Sequence, residues 1–142
     1  GSKLSSAFRV HKMTGGCLYK HGGKEYWLVY TADAYFELNE KYGTELFEKL
    51  RAADRSGYDV AVGCLLVLAR EGELCRRYMG HDARQMLTEE EIQRTVLPDG
   101  IANIKESVMK ALLAGMRVEN HKENDEPIDV GLMEFEKKTV PG

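Results

Sequence analysis

The pattern of hydrophobic and polar positions changes period within residues 23–43, GKEYWLVYTADAYFELNEKYG. Up to residue 30, apolar side chains alternate as in a half-buried strand, and beyond it they recur at the spacing of a helix. The two sets are Tyr26, Leu28 and Tyr30 alternating with Trp27 and Val29, and then Ala32, Tyr35, Phe36 and Asn39. The pattern predicts a strand that leads into a helix, with Thr31 as its N-cap and Gly43 at its end. We expect the aromatic residues of this stretch to form the core that fastens the strand to the helices.

A shorter strand-like run precedes this stretch. Residues 17–20 and 25–31 both have strand character, and residues 21–24, His-Gly-Gly-Lys, lie between them. Because paired glycines supply the positive φ angles of a tight turn, the two runs predict a β-hairpin. Two strands alone are marginal in water, so one face must pack on helices or an edge must pair with another chain. The hairpin therefore leaves an edge for assembly contacts.

The middle of the chain has a helical pattern. Thr44 is placed to cap a short helix. The apolar stripe of that helix is Leu46, Phe47 and Leu50. Residues 54–57, Asp-Arg-Ser-Gly, then interrupt the pattern, and residues 58–78 form the longest helical candidate. Because residues 61–69 are apolar on nearly every side, we expect the buried central helix here, with a break or kink near Gly72.

Two more helices are predicted after a loop at residues 81–87. Thr88 and the three glutamates that follow it have the spacing of a capping box, so a helix should begin there and end near Val96, ahead of Pro98. An amphipathic helix then extends to about Val118. Its apolar face is Ile101, Ile104, Val108, Leu112 and Met116. The chain is thus expected to be α+β and mainly α-helical, with an N-terminal β-hairpin packed on a bundle of about four to five helices.

Composition divides the chain into three parts. The 142 residues are 43% apolar and 30% charged, as in an ordinary globular protein, and the longest apolar stretch, residues 60–69, is far shorter than the roughly 20 residues of a membrane span. The net charge is −3, and residues 119–142 contain seven acidic and three basic side chains. We expect a disordered N-terminal segment at 1–15, which begins with a Gly-Ser tag remnant, a single globular domain at 16–118 and an acidic flexible tail at 119–142.

Residue types that carry chemistry form no recognised signature. The cysteines Cys17, Cys64 and Cys75 are odd in number, which fits a reducing compartment such as the cytoplasm. Cys75 and His81 provide two metal ligands where a structural zinc site needs four. The paired glycines lack the spacing and the lysine of a phosphate-binding loop. We therefore predict no catalytic residue, no metal, no cofactor and no enzymatic activity.

Two sets of apolar residues are candidates for partner binding. The first is Tyr26, Trp27 and Tyr30 on the hairpin, where aromatic side chains serve either as core or as interface hot spots. The second lies in the tail, where a short helix would place apolar residues at i, i+4 and i+7 on one side for a partner or a neighbouring subunit. These tail residues are Ile128, Leu132 and Phe135.

A modest basic cluster lies on and after the long helix. It consists of Arg70, Arg76, Arg77 and Arg84. Such a cluster can contact nucleic acid or an acidic partner, or it can be a solvated face neutralised by Glu71, Glu73 and Asp82. Because phosphate-binding domains usually carry a larger basic excess, the neutralised face is the favoured interpretation.

The order of these elements resembles a known family. The motifs are GKEY at residues 23–26, TADAYFELNEKYG at 31–43 and LTEEEI at 87–92, with the long helix between the second and third and an amphipathic helix at the end. In this order they look like the tail assembly chaperones of long-tailed bacteriophages and prophages, over roughly residues 16–118. The resemblance implies a protein absent from the finished virion that binds the tape measure protein and tail-tube subunits in the host cytoplasm, made as a short form beside a frameshift-extended one.

The family carries no shared catalytic residues to place on this chain. The alternative function is a small DNA-binding regulatory protein that uses the helix after Thr88 or the cluster of Arg70, Arg76 and Arg77. An enzyme is a third class, and it would require a pocket where polar groups and perturbed acids or bases converge. Oligomeric state, including a homo-oligomer, is left open by the sequence.

Overall fold

The computed structural model describes residues 16–123, with side chains described as far as Met116. This part of the chain contains one antiparallel hairpin followed by five α-helices. The strands are β1, Cys17–His21, and β2, Lys24–Leu28, and the helices are α1, Ala32–Tyr42; α2, Leu46–Arg51; α3, Arg55–Tyr78; α4, Glu89–Thr95; and α5, Ile101–Glu123. Short 3₁₀ turns at Gly43–Glu45 and Pro98–Gly100 precede α2 and α5. The predicted mainly helical α+β fold is confirmed.

Two glycines close the hairpin as predicted. Gly22 and Gly23 have φ angles of 59° and 78°, which a side chain with a Cβ rarely adopts. The register pairs Cys17 with Leu28, Leu18 with Trp27, Tyr19 with Tyr26, Lys20 with Glu25 and His21 with Lys24. The second strand ends at Leu28, earlier than expected, because the amide of Val29 donates to the carbonyl of Leu68 in α3 at 3.1 Å. Strand pairing therefore gives way to docking on the helix.

The helix α3 lies at the centre of the fold and packs against β2, α1, α2 and α5. It begins before the expected residue 58, because the Asp54 side chain caps it by accepting the amides of Ser56 and Gly57. Residues 54–57, which were expected to interrupt the helical pattern, therefore form the N-cap and first turn of α3. The largest buried side chains around α3 include Leu28, Leu38, Leu50, Leu65, Leu68, Ile92, Ile104 and Leu112.

The expected break at Gly72 is absent, since α3 is helical from end to end. Gly72 serves close packing instead: a Cβ built on it would lie 1.8 Å from the carbonyl oxygen of Trp27. The backbone of β2 therefore approaches α3 at a distance that only glycine permits.

Three helix caps match their predictions and one does not. The Thr31 hydroxyl accepts the amide of Ala34 at 3.1 Å, Gly43 ends α1 with a φ of 79°, and Thr88 caps α4. The predicted cap at Thr44 is wrong, because residue 44 lies inside a 3₁₀ turn and α2 begins without a side-chain cap.

The last helix, α5, continues to Glu123, beyond the expected end near Val118. Ile104, Val108 and Leu112 on its predicted apolar face are buried. Residues 1–15 and 124–142 lie outside the described residues, so the predictions for the N-terminal segment and for Ile128, Leu132 and Phe135 stay predictions. None of the helices within residues 16–123 has both the length and the apolar character needed to cross a bilayer.

Candidate functional site

The three candidate aromatic residues of the hairpin lie in different environments. Tyr26 is 9% exposed and belongs to the core, while Trp27 is half-buried beside Gly72 of α3. Tyr30 is half-buried against Gly115 of α5, where an added Cβ would meet the Tyr30 Cβ at 2.8 Å. The structure thus separates Trp27 from Tyr30 rather than joining them in one surface.

The expectation that all aromatic residues of this stretch are core is wrong for α1. Tyr35 and Phe36 are 48% and 61% exposed, and the buried positions of α1 are Ala34 and Leu38. Both sets have helical spacing, so the period alone did not distinguish the buried face from the exposed one.

Tyr30, Tyr35 and Phe36 form a continuous group of rings, called here the aromatic patch. The Tyr30 and Tyr35 rings lie 6.2 Å apart at 58°, and those of Tyr35 and Phe36 lie 5.0 Å apart at 75°. Both separations fall in the range at which aromatic pairs attract one another. Exposed aromatic rings that touch each other are typical of interface hot spots.

Polar contacts to α3 hold the helix that carries the aromatic patch. The Thr31 hydroxyl donates to Glu71 at 2.8 Å while it caps α1. Arg70 of α3 bridges the two helices by donating to Glu37 of α1 at 2.7 Å. It also donates to Glu71, its neighbour on α3, at 3.0 Å. The hydrogen bond from Arg70 also holds the pKa of Glu37 below its usual value. The aromatic patch is therefore presented on a fixed helix.

At the end of α3, one buried carboxylate gathers three donors. Glu73 accepts Arg76 Nη1 on one oxygen at 2.9 Å, and on the other it accepts Arg77 Nε at 2.9 Å and the Arg84 amide at 2.6 Å. We call Glu73 and these partners the carboxylate hub. Burial raises the pKa of Glu73, but the donated hydrogen bonds outweigh it and leave the pKa below its usual value.

The carboxylate hub fixes the loop between α3 and α4. Arg76 also donates to the carbonyl of Asp82 at 3.1 Å, and Arg77 donates to the carbonyl of Arg84 at 2.9 Å. The backbone of Arg84 is thus held on both sides. Among residues 16–116, whose side chains the structure describes, its guanidinium has no hydrogen-bond or ion-pair partner.

An open cleft of about 790 Å³ lies between the hairpin and this loop. We call it the hairpin cleft. Its lining includes Tyr26 and Trp27 on the strand side and Glu73, Arg76 and Arg84 on the other. The cleft joins aromatic surface to positive charge, which is a combination suited to an acidic peptide with apolar side chains.

The two edges of the hairpin differ. Hydrogen-bonded and non-hydrogen-bonded pairs alternate along the hairpin, starting with the hydrogen-bonded His21–Lys24 pair at the turn. The backbone N–H and C=O groups of Leu18 and Lys20 therefore point away from β2. Those of Trp27 point away from β1 and toward α3 at Gly72. No described residue outside the hairpin makes a backbone hydrogen bond to Leu18 or Lys20. Within the described part of the chain, β1 thus offers the open edge and β2 the covered one.

The cysteines occupy packing positions. Cys64 is fully buried, and burial raises the pKa of its thiol to about 12, which suppresses the reactive thiolate. Burial also raises the pKa of Cys17 and of Cys75. Among residues 16–116, whose side chains the structure describes, no three His, Cys, Asp or Glu side chains lie together as metal ligands would. Cys75 and His81 therefore gain no further ligands from the described part of the fold.

The basic cluster is largely neutralised, as the favoured interpretation had it, although Arg76 is buried rather than solvated. Arg70, Arg76 and Arg77 all pair with carboxylates. The first turn of α4 carries three glutamates, whose charge would oppose DNA phosphates. These placements give the DNA-binding alternative no observation in its favour.

Comparison of the chain with family models, with curated protein sequences and with solved structures gave no significant match. A functional assignment must therefore rest on the chain's own residues and surfaces.

Sequence reasoning missed the carboxylate hub and the hairpin cleft. A signal for part of the hub exists, because Glu73 precedes Arg76 and Arg77 by three and four residues, the spacing of ion pairs on a helix. The contact to the Arg84 amide had no such signal, since it depends on the path of the loop.

Proposed function

We propose that this chain is a non-enzymatic tail assembly chaperone of a long-tailed phage or prophage, acting in the bacterial cytoplasm. Its partners in this proposal are the tape measure protein and tail-tube subunits. The observation that carries the proposal is the aromatic patch, in which the rings of Tyr35 and Phe36 are exposed next to the half-buried ring of Tyr30, although α1 also has a buried face. The order of hairpin, capped α1, long α3 and capped α4 supports it through the family resemblance.

The surroundings of the aromatic patch suit protein binding. Tyr35 and Phe36 have few rotatable bonds, and α1 is held to α3 by Thr31 and Arg70, so little entropy is lost when a partner orders them. The same helix also carries the charged residues Asp33 and Glu37, next in sequence to the exposed positions, as the polar rim of an interface would. This patch is where we place the contact with an apolar segment of the elongated partner.

The test is co-expression with the tape measure protein of the same phage or prophage. We expect the partner to become more soluble and to co-purify with the wild-type chain. A double variant, Tyr35→Ser with Phe36→Ser, should lose co-purification by roughly tenfold or more, because two hot-spot residues are removed together.

The matched control is Tyr78→Ser, which removes an aromatic ring that is 90% exposed but lies at the end of α3, outside the aromatic patch. It should bind as the wild type does. Failure of the wild-type chain to co-purify or to improve solubility would overturn the function, and equal binding by the double variant would overturn the assignment of the patch.

A further inference from the structure

Helix α5 carries the chain toward the aromatic patch. The thiol of Cys17, at the start of β1, donates to the carbonyl of Ser107 at 3.5 Å. Further along the helix, Gly115 lies against Tyr30, so close that an added Cβ would meet the Tyr30 Cβ at 2.8 Å. Cys17 pairs with Leu28 at the end of the hairpin that is far from the turn, and Tyr30 follows Leu28 in the chain. The helix therefore runs away from the hairpin turn and reaches the first ring of the patch.

Two rings of the aromatic patch have exposed surface within the described chain. Tyr35 and Phe36 are exposed on α1, whereas Tyr30 is half-buried and contacts both Tyr35 and α5. The successive ring centroids are 6.2 and 5.0 Å apart, so the patch is at most about 11 Å long. Covering its rings with apolar side chains is favourable, at about 25 cal/mol for each Å² of apolar surface removed from water.

A segment beyond α5 has apolar residues at a matching interval. In residues 126–136, EPIDVGLMEFE, the side chains of Ile128, Leu132 and Phe135 fall at i, i+4 and i+7. A helix would place them on one side over about 10 Å, at 1.5 Å per residue, which is close to the length of the aromatic patch. Pro127 suits the first turn of such a helix.

The end of α5 leaves this segment within reach of the patch. Glu123, the last residue of α5, lies about 12 Å beyond Gly115 along the helix axis. Ile128 follows Glu123 by five residues, which span about 17 Å when extended, so the chain can turn back to the level of Tyr30. A tether this short gives an effective concentration on the order of millimolar, which favours contact within one chain.

Charge does not attract this segment to α1. Residues 124–136 contain five carboxylates and no lysine or arginine, and α1 carries three acidic side chains and one lysine. Contact between them must therefore be apolar. Salt should not weaken such a contact, because screening reduces the repulsion between the two acidic segments and leaves the hydrophobic contribution in place.

We propose that residues 126–136 form a short helix that docks on the aromatic patch of the same chain, with its apolar side on the rings of Tyr35 and Phe36. The proposed function assigns this patch to a partner, so the docked helix competes with that partner and regulates access to the patch. Only this regulatory role rests on the proposed function, because docking itself requires no second protein.

Amide hydrogen exchange of the full-length chain, followed by mass spectrometry, tests the docking. A helix this short is marginal on its own in water, and Gly131 weakens it further, so slow exchange in residues 126–136 reports contact with the domain. These amides should exchange about fivefold or more slowly than in an unstructured peptide of the same sequence. The double variant Tyr35→Ser with Phe36→Ser should abolish this protection, because the helix loses the surface that stabilises it.

Matched controls leave both contact faces intact. Tyr78→Ser removes an exposed ring at the end of α3, and Val140→Ser removes an apolar residue of the tail outside the segment, so both variants should keep the slow exchange. From the tail side, Leu132→Ser with Phe135→Ser should raise exchange to the rate of the unstructured peptide. Circular dichroism melting of each variant confirms that the domain remains folded.

Exchange of the wild-type segment at the unstructured rate would overturn the proposal. Protection that survives in the Tyr35/Phe36 variant would also overturn it, since the segment would then be ordered elsewhere. Faster exchange in 0.5 M NaCl would indicate an electrostatic contact and contradict apolar docking.

Protection should be the same at low and high micromolar protein. Protection that appears only at high concentration would overturn docking within one chain and place the segment on a second copy. Because no partner is present in this experiment, its outcome is separate from that of co-purification with the tape measure protein.

Discussion

The carboxylate hub and the aromatic patch both depart from the usual distribution of side chains, in which charged groups are exposed and aromatic rings are buried. At the hub, Glu73 and Arg76 are charged and buried, and at the patch, Tyr35 and Phe36 are large, aromatic and exposed. The hub is satisfied internally, since every hydrogen bond of its carboxylate goes to this chain. The patch is held in place by its own helix but leaves ring surface in solvent.

This difference separates structural from functional roles. A buried charge that loses its partner costs several kcal/mol, about 3–5 kcal/mol in measured cases, so the hub is committed to stability. An exposed ring contributes little to folding and can be removed at small cost, so the patch is free to serve a partner. Substitutions in the packed interior and at the hub should therefore change stability strongly, and substitutions at the patch should change it little.

The largest effect is expected at the seam between β2 and α3. Gly72→Ala should destabilise the protein by about 4 kcal/mol or more, because the new Cβ would overlap the Trp27 carbonyl and neither backbone can move alone. Urea unfolding followed by circular dichroism measures it. Gly100→Ala, which meets only a Val96 methyl at 3.1 Å, should cost less than about 1 kcal/mol. Equal costs for the two variants would contradict the tight seam.

The next effect tests the carboxylate hub. Glu73→Ala should cost about 3 kcal/mol, because Arg76 stays buried without its carboxylate and the Arg84 amide loses its acceptor. Glu40→Ala, on an exposed position of α1, should change stability by less than about 0.5 kcal/mol. Hydrogen exchange of the loop amides should rise in the Glu73 variant alone, and an unchanged loop would show that the hub does not fix it.

A smaller effect is expected with pH. The pKa of Glu73 is lower in the folded state than its ordinary value of 4.5, so the folded state binds this proton less readily than the unfolded state does. The stabilisation is therefore present above pH 4.5 and lost as pH falls below it. The urea midpoint of the wild type should fall between pH 5 and pH 3, and it should fall less in Glu73→Gln. The same slope in both proteins would assign the acid sensitivity to other carboxylates.

The smallest effect on stability is expected at the aromatic patch. Phe36→Ser should change the free energy of unfolding by only about 0.5 kcal/mol, because the ring is mostly in solvent. Leu38→Ala, two residues along the same helix but fully buried, should cost about 2–5 kcal/mol. Thermal unfolding compares the pair. A Phe36 variant as unstable as the Leu38 variant would make the patch a part of the core and remove its role as a free surface.

The order and type of the elements could be predicted because their signals are local. The caps at Thr31 and Thr88 and the paired glycines of the hairpin turn act within a few residues of themselves. These local signals gave a wrong prediction where one sequence pattern is compatible with two local structures. The aspartate at residue 54 fits both a loop and a helix N-cap, and Thr44 has the residue type of a cap but lies in a 3₁₀ turn.

The candidate sites were less predictable than the fold. The sequence singled out Trp27 and Tyr30, but the first contributes to the hairpin cleft and the second to the aromatic patch. The partners of Tyr30 on α1 were expected in the core. The sequence could therefore name one residue of the hairpin cleft and one of the aromatic patch without showing that these are two separate surfaces.

The sequence by itself determined which segments become strands and helices, because that choice depends on alternation, caps and turns within one segment. Only the tertiary structure decided which face of α1 is buried, why Gly72 is a glycine and where the charge of Glu73 is balanced. Those outcomes depend on contacts between residues far apart in the chain, such as Gly72 with Trp27 and Glu73 with the Arg84 amide. Packing chooses among faces that the local pattern leaves equivalent, and this choice placed the aromatic rings on the surface and the carboxylate inside.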